Sequence, residues 1–375
     1  DYDDVARTST NSKIKPGGNR TNDPNYDGVN VYGDETSAKL DFKQVATGAQ
    51  SLYSAGLAAA GIPNIVPTLN AIIPNGATYA QIQSILNATF TGPAAAAIPT
   101  INQMMPFYWG LRNNWYTDNQ FVSRTGYNEN DLVDYSAMNF KFTAGLHYKI
   151  TPGIEASWNT YWGTGTTVYT GADRYSLRNF KMAQHKLEIR HKNWFVRGYT
   201  TQENAGEAYQ ATALGRLMQE AFSPSATVWY PTYVQNYYTK MFGIDYATSN
   251  IPTPSSLNAH QYARSISDAN RPLPGTQTFE NLKYQIRTTP IGQGGAKFLD
   301  KSDLWAAEGQ ANISDAFNFS DVIEVIGGLQ WKQWVMNSHG TIFADSAGAI
   351  KISEKGGYLQ LKKRLFDDFL TLTGA

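Results

Sequence analysis

Between Met138 and Ile150 the chain alternates without a break. Met138, Phe140, Phe142, Ala144, Leu146, Tyr148 and Ile150 are apolar, and Asn139, Lys141, Thr143, Gly145, His147 and Lys149 stand between them. A period of two over this length fits an extended strand with one apolar and one polar face, since a helix would scatter the same side chains around its axis. Thr151-Pro152-Gly153 then supplies a tight turn. A second run sets Ile154, Ala156, Trp158 and Trp162 against Glu155, Ser157 and Asn159. The pattern predicts strands over 136–150, 154–168, 181–190, 194–203, 303–313, 321–335 and 350–364, with another starting at Phe369.

The connections carry as much information as the strands. Those at 151–153, 191–193, 314–320 and 365–368 read as short, and those at 169–180, 204–302 and 336–349 as long. Alternation of short turns with long loops is how an outer-membrane barrel is strung, and a soluble sandwich has little reason for it. The predicted fold class is therefore all-β: a transmembrane antiparallel β-barrel, about eight strands of a larger plugged barrel. Its long extracellular loops carry short helices. The division is a loop region over 1–134, strands over 135–203, a second loop over 204–302 and strands over 303–375. No run approaches the ~18 consecutive apolar residues of a spanning helix. Aromatic residues make up 13% of the chain, with 23 Tyr and 9 Trp, which suits strands and interfacial girdles. Trp158, Trp162, Trp194, Trp305, Trp331 and Trp334 are the girdle candidates. Formal charge is balanced, which leaves no footprint for nucleic acid. Cys is absent, which removes disulfides and thiolate metal sites.

The two long loops differ in their patterns. Residues 1–134 read as mostly irregular, with a helical patch at Tyr79–Leu86 behind the Asn75-Gly76 turn. In 204–302, three stretches have helical apolar spacing: Leu214, Leu217, Met218, Ala221 and Phe222; Ala259, Tyr262, Ala263 and Ile266; and Phe279, Leu282 and Ile286. Such stripes predict ordered loops that pack against each other above the barrel.

Two constellations are candidate ligand sites. Asp23, Asn25, Asp27 and Gly28, with Asp34 further on, resemble the first half and last position of a calcium loop, where hard oxygens alternate around a Gly turn. Calcium is the candidate cofactor, and a polar Asx-rich turn is the competing reading. Trp229, Tyr230, Tyr233, Tyr237 and Tyr238 crowd one stretch and form a candidate ligand-binding cluster, expected to be partly exposed; packing of the loop's own core is the alternative. His147, His185, His191, His260 and His339 are scattered and predict no chelate. No nucleophile elbow, triad or paired carboxylate stands out, so the chain reads as a non-enzyme.

Several stretches resemble one family. They are Asp3-Asp4-Val5-Ala6-Arg7-Thr8, Asp27-Gly28-Val29-Asn30-Val31-Tyr32-Gly33-Asp34-Glu35 and Ser123-Arg124-Thr125-Gly126-Tyr127-Asn128-Glu129-Asn130-Asp131-Leu132. Tyr161-Trp162-Gly163-Thr164-Gly165, His191-Lys192-Asn193-Trp194-Phe195-Val196-Arg197 with the residues up to Asn204, and Leu299-Asp300-Lys301-Ser302-Asp303-Leu304 extend the likeness. It is to TonB-dependent outer-membrane receptors of Bacteroidetes, the type with an N-terminal carboxypeptidase-regulatory-like domain. The resemblance implies a plugged barrel of ~22 strands and energised uptake of a bulky nutrient in the outer membrane of a Gram-negative bacterium. It implies the TonB complex, outer-membrane lipid and a surface lipoprotein lid as partners. No TonB box, plug or aromatic last residue is present, so the chain is expected to be an internal segment. A secreted or surface carbohydrate-binding or glycan-cleaving β-protein is the alternative function.

Overall fold

The computed structural model describes residues 18–19, 21–26, 28, 30–35, 37–171, 173–242, 255–366 and 369–375. The residues form two compact units. One takes the chain up to Glu129 together with Gly215–Glu280, and the other takes Asn130–Leu214 with Asn281–Ala375. Among the described residues no helix is long and apolar enough to cross a membrane.

The first unit is largely helical. Helix α1 is Phe42–Ala59, and Asp41 caps it by accepting from the Gln44 N–H at 2.7 Å. Helices α2 (Ile65–Ile72), α3 (Tyr79–Thr89) and α4 (Ile98–Arg112) follow. Thr78 and Gln81 close a reciprocal capping box on α3, which satisfies two orphan donors at once. Leu57, Ile65, Leu69, Ile82, Leu86, Ile101, Met104 and Trp109 form the core between these helices. The region expected to be mostly irregular is thus a helical bundle. Among the described residues 36% are helical, which corrects the all-β expectation. The reason is composition: from Phe42 to Arg112 only Lys43 and Arg112 are charged, so no charged face marks the helices in the sequence.

Helix α5 is Ala211–Phe222, α6 is Tyr230–Phe242, α7 is Ser256–Ser267 and α8 is Gln277–Thr288. Three of these fall on the stripes read from sequence. A second core joins the two long loops inside this unit. Phe42, Tyr116 and Val122 from the first loop pack with Trp229, Tyr233, Tyr237, Tyr238, Ala259 and Ala263 from the second. The expected packing of loop on loop is present.

The second unit is built on one antiparallel sheet. Its strands are β1 (Asn139–Thr151), β2 (Ile154–Thr170), β3 (Arg174–His191), β4 (Trp194–Asn204), β5 (Asp303–Asn312), β6 (Glu324–Met336), β7 (Ile350–Leu365) and β8 (Leu370–Gly374). Each pairs with its neighbours in sequence, from β1 at one edge to β8 at the other. A ninth short strand, Tyr209–Gln210, pairs with Tyr175–Ser176 of β3. Each of β1 to β8 lies on a run predicted from alternation, whereas Tyr209–Gln210 falls within the expected loop 204–302. One connection differs: 169–180 was expected to be a long loop, but β2 and β3 pair out to Thr170↔Arg174. A register shift between Gly165 and Thr167 hides the alternation there. The excursion over 205–302 leaves β4 and returns to pair β5 beside it, from Gln202↔Asp303 to Trp194↔Ala311.

Candidate functional site

Directly paired residues share a face of a sheet, so the register assigns each side chain to a face. The rung through Leu146 carries Trp158, Leu187, Gly198, Ala307 and Trp331. The next rung toward the β1–β2 turn carries Tyr148, Ala156, Ile189, Val196, Gly309 and Leu329. These large side chains stand open: Leu146 is 65% exposed, Leu187 64% and Leu329 75%. Five of the six girdle candidates lie on this apolar face. Trp334 does not, since it pairs with Leu304 and Ile352 on the other face.

The apolar band is not parallel to the rungs. On β1 it runs from Met138 to Ile150 and centres on Ala144. The rung through Ala144 passes Thr160, His185, Thr200, Trp305 and Gln333 and meets β7 at Ser353. Beyond the first two strands these neighbours are mostly polar. On β4 the apolar stretch Trp194–Gly198 centres on Val196, four residues from Thr200 and three strand steps from β1. On β7 the stretch Gly357–Leu365, interrupted by Lys363, centres on Leu361, eight residues from Ser353 and six steps from β1. The slip runs in one direction, at about 1.3 residues per strand on β4 and β7 and somewhat less on β5. With about 3.3 Å per residue and about 4.8 Å between strands, the band is inclined to the rungs by about 40°.

The opposite face is polar and laced with ion pairs. Glu155 meets His147 Nδ1 at 3.0 Å and Arg190 at 3.3 Å. Glu188 takes Lys186 at 3.4 Å and Arg197 at 3.6 Å, and Arg197 Nε also donates to Glu308. Glu324 pairs with Lys362 at 3.5 Å. Neighbouring strands thus neutralise each other's charges.

The aromatic cluster of the helical unit is placed differently from the expectation. Trp229, Tyr233, Tyr237 and Tyr238 are at most 3% exposed, and Tyr230 is half-buried. Trp229 stacks on Tyr233 at 5.1 Å, Phe42 lies 4.0 Å from Tyr237, and Tyr116 meets Tyr238 edge-on at 4.9 Å. Their polar tips are occupied: Trp229 Nε1 donates to Asp268 at 2.8 Å, Tyr233 bonds His260 Nδ1 at 2.8 Å, and Tyr238 donates to the Phe42 carbonyl. Burial pushes the Tyr233 and Tyr238 hydroxyls well above their ordinary range. The expected partial exposure toward a ligand is corrected. Positions 229, 233 and 237 repeat at helical spacing, so these rings turn one face of α6 into the core.

The calcium candidates are only partly described, because Asp27 lies outside the described residues, as do Asp3–Thr8 of the family likeness. Asp23, Asn25 and Asp34 are buried. Asp23 accepts from the Asn25 N–H at 2.9 Å, an Asx turn, and Asp34 accepts from the Gly28 N–H at 3.1 Å. Arg264 binds this loop as well, donating to the carbonyls of Pro24 and of Ser123. Among the described residues no cluster of three or more His, Cys, Asp or Glu side chains could hold a metal. The histidines stay apart: His185 Nδ1 bonds Thr160 at 2.8 Å, and His191 stacks on Trp194.

Arg124 drew no attention in the sequence beyond the family likeness. It is 2% exposed and donates to the Ser223 carbonyl at 2.6 Å and to Ser225 Oγ at 3.0 Å, with Glu220 at 3.5 Å and the Trp229 ring 5.5 Å below. Burial lowers the guanidinium's proton affinity, and Glu220 opposes that. No known protein family, curated protein or solved structure matches the chain.

Proposed function

We propose that this chain forms part of the wall and the outer loops of a barrel receptor in a Gram-negative outer membrane, and that the receptor takes up a nutrient in a TonB-dependent way. The observation that carries the membrane reading is the slanted apolar band. Strands of membrane barrels tilt by roughly 35–45° from the membrane normal. A bilayer therefore cuts such a sheet along a diagonal, and a slant of about 40° between band and rungs is what that tilt requires. In water, so many exposed Leu, Trp and Phe side chains would form an aggregation-prone patch. In lipid they are solvated, while neighbouring strands satisfy the backbone groups of β2 to β7 and further strands of the receptor would complete the two edges. The ion-paired opposite face suits a polar lumen.

The uptake reading rests on the family likeness at Ser123–Leu132, Tyr161–Gly165, His191–Asn204 and Leu299–Leu304. In that reading the long loops capture the ligand, and energised movement of a plug outside this chain admits it. No covalent step is assigned. The competing reading of a soluble glycan-binding protein relied on the loop aromatics, and those rings are enclosed. Carbonate washing of cell envelopes tests the location: the protein is expected to stay with the outer-membrane fraction, and its release into the wash refutes the membrane reading. Trimming 206–298 to a short turn tests capture: the protein is expected to remain inserted and to lose uptake of its nutrient, and retained uptake refutes a capture role for that loop.

A further inference from the structure

A recess of about 470 Å³ opens on the apolar face of the sheet, beside the loop ends of β2 to β5. Trp162 and Ala183 form its floor, and Lys181, Lys301, Asp303 and the amides of Gln202, Asn204 and Asn337 surround it. Trp162, Ala183, Gln202 and Asp303 share one rung, and Lys181 pairs with Asn204 on the next. Among the described residues neither Lys181 nor Lys301 makes an ion pair, and both are exposed. Glu203 also borders the recess, but by register its side chain belongs to the opposite face with Met182. The cationic groups at the recess are thus answered by one carboxylate on their own face.

Height along the strands gives this chemistry a meaning, and the argument here rests on the membrane reading above. The apolar band centres near Val196 on β4, so Gln202 stands six residues from the middle. On β5 the stretch Trp305–Ala311 centres near Glu308, and Asp303 stands five residues away. For strands tilted by about 40°, six residues rise about 15 Å, which is the half-thickness of the hydrocarbon layer. The recess therefore opens at headgroup level around Gln202 and Asp303, while Trp162, the partner of Phe142, lies deeper on the apolar side.

We infer that this recess binds the headgroup of a phosphorylated glycolipid in the outer leaflet. The phosphates meet Lys181 and Lys301. The sugar hydroxyls meet Asp303 and the three amides, and Trp162 below them meets the start of the acyl chains. The acyl chains run down the face over Leu187 and Val196. A free phosphate would use the lysines but would have no need of the apolar floor.

The test uses the full receptor, extracted from its membrane in mild detergent and incubated with a purified bisphosphorylated glycolipid. Native mass spectrometry reads the bound lipid. The double variant Lys181→Ala with Lys301→Ala is expected to retain less than about a third of it. The double variant Lys141→Ala with Lys149→Ala, on the opposite face, is expected to match the parent. Excess inorganic phosphate is expected to leave the lipid in place. Equal retention in both variants overturns the inference, and so does displacement by phosphate, which would mark a plain anion site. Gel mobility with and without heating checks that each variant is folded. Failure of the membrane reading is distinct: the parent protein would then leave the envelope in the carbonate wash.

Discussion

Substituting arginine for an apolar residue on the band separates a slanted membrane belt from any other use of this face. Phe142 is half exposed, pairs with Trp162 and stands two residues from the centre of the band on β1. If the band is a membrane belt, two residues on a strand tilted by about 40° rise about 5 Å, which would put Phe142 close to the midplane. An arginine at the midplane of a barrel wall costs about 2–4 kcal/mol, falling to about 0–1 kcal/mol near the interface. Phe142→Arg is therefore expected to destabilise the inserted protein by about 2–3 kcal/mol. Thr143→Arg, on the polar face, is expected to change it by less than about 0.5 kcal/mol. The same reasoning on β7 distinguishes slant from rung. Leu361→Arg sits at the centre of the band there and is expected to cost about 2–4 kcal/mol. Ser353→Arg lies on the rung of Ala144 but far above the belt, and is expected to be nearly neutral. Urea titration of the protein folded into lipid vesicles, followed by tryptophan fluorescence, measures all four. Equal costs at Phe142 and Thr143, or a larger cost at Ser353 than at Leu361, would refute the slanted belt.

Three further outcomes follow from the loops and the helical unit. Trp229→Ala removes a fully buried ring and is expected to cost about 3–5 kcal/mol, while Tyr233→Phe, which loses only the bond to His260, costs about 1 kcal/mol; thermal unfolding of the pair reads both. Arg124→Met strands the Ser223 carbonyl and the Gln219 side chain and is expected to cost about 2–3 kcal/mol by the same measurement, and a neutral result would show that these groups find other partners. In the β6–β7 connection the Asp345 carboxylate accepts from the Ser338 N–H, Ser338 Oγ and the Gly340 N–H, and these bonds hold its pKa down to about 2. A depressed folded pKa stabilises above the unfolded carboxylate value of about 3.9 and loses that stabilisation as pH falls toward 2; amide exchange at Ser338 and Gly340 is expected to accelerate over that window and to be fast at every pH in Asp345→Ala.

The sheet was legible because period two is a strong signal wherever one face is apolar. It failed at 169–180, where the irregularity near Thr166 shifts the parity and the Gly171 N–H donates to the Asp173 carbonyl in place of the expected loop. The bundle over Phe42–Arg112 was far less legible. Its helices have Ala, Gly, Asn and Gln where charged residues usually mark the solvent face, so packing rather than pattern holds them. One signal was available there: Thr78 with Gln81 just ahead of Ile82 is a capping box in plain sequence. The aromatic cluster shows the opposite difficulty. Trp229, Tyr233 and Tyr237 stand four residues apart, the spacing of one helical face, and that periodicity favoured a core over a ligand platform. Arg124 had no such cue, because its partners lie about a hundred residues away in sequence at Gln219 to Ser225.

The most direct test of the slanted belt is a depth profile by single-cysteine spin labels. This chain has no native cysteine, so a label placed in it is unique within it, and any cysteine elsewhere in the receptor is first replaced by serine. Labels at each position from Phe140 to Ile150 on β1 and from Ile352 to Leu365 on β7, in the receptor in vesicles, are exposed in turn to oxygen and to a water-soluble nickel complex. Oxygen access is expected to oscillate with period two, with the deepest positions at Ala144 on β1 and near Leu361 on β7. A profile without oscillation, or one whose depth peaks at Ala144 and at Ser353 on the same rung, would contradict the account.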